Sequence, residues 1–213
     1  MNFDRLAPHY HWLERIFAGG LMQRCRTALL DRAKNSRHAL LVGEGTGRFL
    51  TELLRGNPEI KVVCIESCAG MIRQAQRRLG RERINPERVQ FEQTDVFDWV
   101  PPVEKFDLVV TNFFLDCFRA GQLQKLVPLL SASTTADAAW LLADFCIPEC
   151  GWRRWRAKII LASLYACFKI STSLSASRLT PPDPFLASAG FALIERRMAN
   201  FGFAHADYWR RTI

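Results

Sequence analysis

Residues 39–50, ALLVGEGTGRFL, place three glycines at alternate positions directly behind an apolar run. Ala39–Val42 is short and wholly apolar, as a strand buried on both faces should be. Phe49, Leu50, Leu53 and Leu54 then recur at helical spacing until Gly-Asn-Pro at 56–58 stops the helix. Strand, glycine turn and helix in that order expose backbone amides at a helix N-terminus, where a ligand can approach the chain closely.

The same alternation repeats downstream. IKVVCIE (60–66) predicts a second strand ending on an acid, and GMIRQAQRRL (70–79) an arginine-rich amphipathic helix. VQFEQTD (89–95) predicts a third strand, again ending on an acid. After the double proline at 101–102, KFDLVVTNFF (105–114) predicts a fourth, a helix follows near 120–130, and AAWLLADF (138–145) predicts a fifth. Residues 185–198 read as helix, glycine and strand, and ANFGFAHADYWRR supplies a last strand. The expectation is an α/β fold with a doubly wound, mostly parallel seven-stranded sheet. Ahead of it, residues 4–34 read as helical, with a second helix from about Leu21 to Ala33.

The glycine turn sorts among ligands by what it lacks. Gly-x4-Gly-Lys-Ser/Thr is absent, which removes the phosphate-binding P-loop. Gly43, Gly45 and Gly47 form G-x-G-x-G, and the third dinucleotide glycine position holds Arg48. Glu66 ends the second strand beside the turn, where a carboxylate can accept both hydroxyls of a ribose. Asp95 ends the third strand at the same edge. It can accept a hydrogen bond from an adenine amine while Val96 packs on the ring. Together they narrow the ligand to an adenosine with no phosphate requirement.

With these residues in place, the chain resembles the class I S-adenosylmethionine-dependent methyltransferases over residues 4 to about 145, and more weakly from 185. VGEGTG, VVCIESCAGMIRQA, QTDVF and FDLVVTNFF look like the family's successive motifs. The resemblance implies S-adenosyl-L-methionine as cofactor, with Gly43, Glu44, Gly45 and Gly47 cradling its methionyl part. It implies Glu66 on the ribose, Ser67 and Met71 flanking the adenine, and Asp95 with Val96 at its edge. Asn112 and Phe113 would line the methyl side. DRLAPHYHWL resembles the N-terminal helix of the subgroup acting on quinones, lipids and other small molecules, in which Tyr10 would cover the cofactor. The family usually carries an acid where this chain has Leu41. Its Lys-Pro-Gly-Gly turn before the fifth strand is replaced by SASTTADAAW.

The rest of the composition bounds the partners. With 213 residues, 49% of them hydrophobic and 23% charged, the chain is large enough for one domain with its own core. That domain divides into a helical cap (1–36), a cofactor-binding core (37–145), a substrate-side insertion (146–184) and a C-terminal helix with strands (185–213). No secretory signal or membrane span is expected, and seven scattered cysteines fit reduced thiols in a cytoplasmic setting. No metal site is expected.

The net charge is +8, and residues 151–182 hold six Lys/Arg and no acid. The basic, aromatic helix over 152–170 reads either as an ordinary cap of the substrate pocket or as a peripheral contact with anionic lipid. Nucleic acid is disfavoured, because no DNA-reading element or amino-methylase motif is present. Asp116, Asp144, His9, His11 and His205 are candidate polar groups near the site, each with an ordinary structural alternative. The expected activity is methyl transfer to a small, partly hydrophobic acceptor at O, N or C. Its rivals are a relative that uses the cofactor's aminobutyrate portion in cyclisation or lysis, and a non-catalytic basic docking module.

Overall fold

The structure, a computed structural model, describes residues 19–172 and 179–212. The first helical stretch with Tyr10, His9 and His11 lies outside the described residues.

Seven strands form one sheet in the order β3-β2-β1-β4-β5-β7-β6. They are β1 (His38–Val42), β2 (Lys61–Ile65), β3 (Val89–Glu92), β4 (Phe106–Asn112), β5 (Thr134–Phe145), β6 (Phe191–Ala199) and β7 (Ala204–Arg211). The sheet is mixed. β3, β2, β1, β4 and β5 pair in parallel, whereas β7 runs antiparallel to both β5 and β6. The apolar runs foreseen as buried strands are buried: in β1 and β2 every residue after the first is buried.

Helices cover both faces. On one, α1 (Gly19–Thr27), α2 (Arg48–Gly56) and α5 (Gly151–Thr172) meet the sheet around Leu41, Phe49, Leu53, Val110 and Leu141. On the other, α4 (Ala120–Ser131) and α6 (Asp183–Ser188) close over Leu40, Val109, Trp140 and Trp209. α3 (Ala69–Arg81) follows β2. Trp140 donates its indole N–H to the Thr111 hydroxyl at 2.9 Å, so the largest buried ring leaves no polar atom unpaired. The strand order reverses between β1 and β4, and such a switch point opens a crevice beyond the strands' carboxyl ends.

Among the element boundaries that differ from expectation, three have a clear local reason. The helix expected to Ala33 ends at Thr27, whose hydroxyl bonds back to the Gln23 carbonyl at 2.9 Å. A separate 3₁₀ turn, Leu30–Ala33, follows and keeps Leu29 and Ala33 buried. β3 stops at Glu92, because Asp95 folds into a turn that takes the Phe97 and Asp98 amides. β5 begins at Thr134 rather than Ala138, since Thr134 already pairs with Phe106 before a register shift.

Candidate active site

The three glycines of the turn all adopt positive φ, but they have different jobs. A side chain at Gly43 would strike the Phe114 ring, and one at Gly47 would come within 2.8 Å of Ala75 on α3. Those two serve packing. At Gly45 a side chain would meet nothing within 4 Å, so this is the position where the bare backbone faces open space.

Glu66 closes the crevice floor. One carboxylate oxygen accepts the Gly45 amide at 3.2 Å and the other the Cys68 amide at 2.9 Å, tying the glycine turn to the start of α3. Burial pushes its carboxyl up, against the stabilising amides of Cys68, Gly45 and Ser67. Ser67 is half-buried beside it, and Met71 is buried on the first turn of α3. The Glu66 amide bonds to the Glu92 carbonyl, which brings the end of β3 alongside. Val96 there is buried in the same apolar cluster as Val42 and Ile65, with half-buried Asp95 next to it.

Glu44 turns the other way. Its carboxylate accepts the Phe49 and Leu50 amides, both at 2.9 Å, and so caps the N-terminus of α2. Burial raises its pKa to about 7, opposed by those amides and by Arg26. Leu41, where an acid is usual, is core.

The far wall is the end of β4. Asn112 is buried, and its side-chain nitrogen has no hydrogen-bond partner among the described residues. Phe113 sits at φ 52°, a left-handed backbone that a non-glycine residue adopts only under constraint. Its amide donates to Ala143 at 2.6 Å and its ring lies 4.8 Å from that of Phe145.

Two further features complete the surroundings, the first of them not expected. α1 lies over the turn and supplies Arg26, 5.3 Å above the Phe113 ring, and Gln23. Gln23 donates to the Arg48 carbonyl at 3.2 Å, while its buried side-chain oxygen has no partner among the described residues. Neither residue carried a sequence signal, because α1 precedes the turn by some twenty positions and only packing brings them together.

The second feature is a pair of buried carboxyl groups at the ends of β5 and of the loop after β4. Asp144 is 0% exposed and Asp116 5%. One Asp144 oxygen accepts the Phe145 amide at 2.8 Å, and the other has no donor among the described residues. Burial pushes Asp116 up to about 6 and Asp144 well above the usual carboxylate range, the latter also through the Asp116 charge. Each carboxyl group thus disfavours the other's charge, and the two titrate as a coupled pair. His205 lies across the ladder from Asp144, but its ring is spent on Asp207 at 2.9 Å. Burial works against the Asp207 charge, yet Arg196 and His205 hold its pKa below the usual range.

The geometry suits the group expected there. An open Gly45, a half-buried carboxylate beneath it, and donor and acceptor atoms left unpaired on Asn112 and Gln23 match an adenosine joined to an amino acid.

Comparison with known proteins points the same way. Residues 39–134 match a family described as a methyltransferase domain. Among curated proteins, the demethylmenaquinone methyltransferase of Roseiflexus sp. (strain RS-1) is 31% identical over 115 residues, covering 53% of this chain and 46% of that protein. The malonyl-[acyl-carrier protein] O-methyltransferase of Acetivibrio thermocellus is 32% identical over 136 residues, 62% of this chain and 45% of the relative. The chain thus spans less than half the length of each. Among solved structures, a mitomycin 7-O-methyltransferase superposes over 100% of this chain and 61% of its own, with TM-score 0.71 and 15% identity. The 1,6-didemethyltoxoflavin-N1-methyltransferase of Burkholderia thailandensis, solved with S-adenosylhomocysteine, covers 98% of this chain and 86% of its own at TM-score 0.66 and 16% identity.

Proposed function

We propose that the chain is a class I S-adenosylmethionine-dependent methyltransferase acting on a small, partly hydrophobic acceptor, a reading supported by the match of residues 39–134 to a methyltransferase domain and by the likeness of the fold. The observation that carries the reading is the open backbone at Gly45 held directly over the Glu66 carboxylate.

When bound, the cofactor supplies a methyl group already activated on a sulfonium, so the protein's task is alignment and exclusion of water. Glu66 holds the ribose hydroxyls, exchanging part of its backbone bonding for them. Met71, Ser67, Asp95 and Val96 take the adenine. Arg26 on α1 and the unpaired Asn112 nitrogen face the amino-acid carboxylate, and the Gln23 oxygen its ammonium. Gly43, Gly47 and Glu44 support the turn from behind. Phe113 and Phe145 give the acceptor side an apolar lining, which favours a hydrophobic ring or chain there. The names of the relatives, one for demethylmenaquinone and one for a malonyl carrier, are consistent with such acceptors.

Titration calorimetry with S-adenosylhomocysteine tests the site. Binding is expected, and Glu66→Ala should weaken it by roughly tenfold or more, the worth of a charged hydrogen bond. No binding to the unaltered protein defeats the reading. Mass spectrometry after incubation with cofactor alone tests the reaction: methylthioadenosine released without an acceptor would assign cleavage of the aminobutyrate portion instead.

A further inference from the structure

The helix after β5 is amphipathic in the reverse of the usual sense. At 3.6 residues per turn, Ala157 and Leu161 share one side of α5, and both are buried against the sheet. Trp152 and Trp155 share the opposite side, where they are 62% and 70% exposed. Large aromatic rings face outward while an alanine faces the core, so the core does not account for them.

A second element extends the same surface. The turn Asn200–Gly202 places Phe201 61% exposed, at 6.1 Å from the Trp152 ring. Asn200 and Phe201 both hold positive φ, a strained backbone for residues with side chains. Met198 and Pro148 meet around Gly202, and Met198 and neighbouring Ile147 are exposed as well. The surface is therefore continuous across α5, the loop after β5 and the turn before β7.

Cations ring it. Arg153 lies over both Trp152 and Phe201, Arg156 over Phe201, and Lys158 over Trp155, each within 6.0 Å of a ring centroid. Residues 151–182 contain no acid to neutralise them. No helix among the described residues is long and apolar enough to cross a membrane.

We propose that the exposed Trp152–Trp155–Phe201 surface, with its ring of Arg153, Arg156 and Lys158, docks the protein onto an anionic lipid bilayer. Tryptophan and phenylalanine rings settle at the boundary between headgroups and acyl chains, and the cations meet the lipid phosphates. The aliphatic Met198 and Ile147 decide between lipid and nucleic acid. They offer neither a stacking plane nor a hydrogen bond to a base, whereas acyl chains solvate them. The surface flanks the carboxyl edge of β5, where Cys146 bonds to Phe203, so docking turns the candidate active site's rim toward the membrane. The docking does not depend on methyl transfer, and its test reads binding alone.

Sedimentation with lipid vesicles decides it, comparing phosphatidylcholine alone with phosphatidylcholine mixed with phosphatidylglycerol. The protein should sediment with the anionic vesicles, remain in solution with the neutral ones, and be released by added salt. The paired variants Trp152→Ala/Trp155→Ala and Arg153→Glu/Lys158→Glu should each lower partition by roughly tenfold or more. Thermal melts serve as the fold control, because all four side chains are exposed. Equal absence from both vesicle types at low salt would overturn the proposal, as would binding unchanged in both variants. Displacement of the protein from vesicles by a single-stranded RNA, through the same residues, would overturn it in favour of nucleic acid.

Discussion

At the scale of single residues, the glycine turn separates stability from ligand binding. Gly47→Ala combines a positive φ with a 2.8 Å approach to Ala75, including its backbone, and nothing there can yield cheaply. A loss of about 3 kcal/mol is expected, or roughly 10 °C in Tm for a domain of this size. Gly45→Ala meets open space and should cost only ~1 kcal/mol from its backbone angle. Its new methyl group instead projects where the ligand belongs, so calorimetry should show a larger loss of S-adenosylhomocysteine affinity than of stability. The reverse ranking would mean that the crevice at Gly45 is not the binding site. The sequence made the three glycines visible together, but not this division, since Phe114 and Ala75 lie far along the chain and reach the turn only through folding.

At the scale of elements, the strands were legible because burial on both faces writes an uninterrupted apolar run, as in Leu40–Val42 and Val62–Ile65. The direction of β7 was not legible, because apolar alternation carries no sign of parallel or antiparallel pairing. The start of β5 was missed for a related reason: Thr134–Asp137 is polar and becomes strand through pairing that begins at Phe106. α1 illustrates the same limit at the candidate site. Its arginines drew no expectation from the sequence, and only docking against α2 sets Arg26 over Phe113. Arg26→Ala should therefore weaken S-adenosylhomocysteine binding several-fold, while 5′-methylthioadenosine, which lacks the amino-acid carboxylate, should lose little. Equal losses for both ligands would place Arg26 outside carboxylate recognition and leave it a structural cation beside Glu44.

At the scale of the whole molecule, the carboxyl edge of the sheet concentrates acids whose folded state prefers the proton. Glu44 is raised from 4.5 to about 7 and Asp116 from 3.8 to about 6, with Glu66 and Asp144 shifted the same way, all chiefly by burial. A carboxyl group with a raised folded pKa binds more protons folded than unfolded between its two values. Its favourable contribution is complete below the unfolded value and disappears as pH rises through the folded one. Asp207 and Glu195 act oppositely, since both are lowered; their contribution is present above the usual carboxylate value and disappears as pH falls. The two sets leave a maximum on the acidic side of neutrality, and melting temperature should decline as pH climbs from about 5 through 7 and beyond. Asp144→Asn isolates the buried pair. It keeps the shape and a donor toward Asp116 while removing one titration, so the decline should flatten and the variant should be no less stable than the parent above pH 7. A slope unchanged by Asp144→Asn would show that the pair does not titrate in this range, and would shift the pH dependence onto Glu44 and Glu66 under the glycine turn.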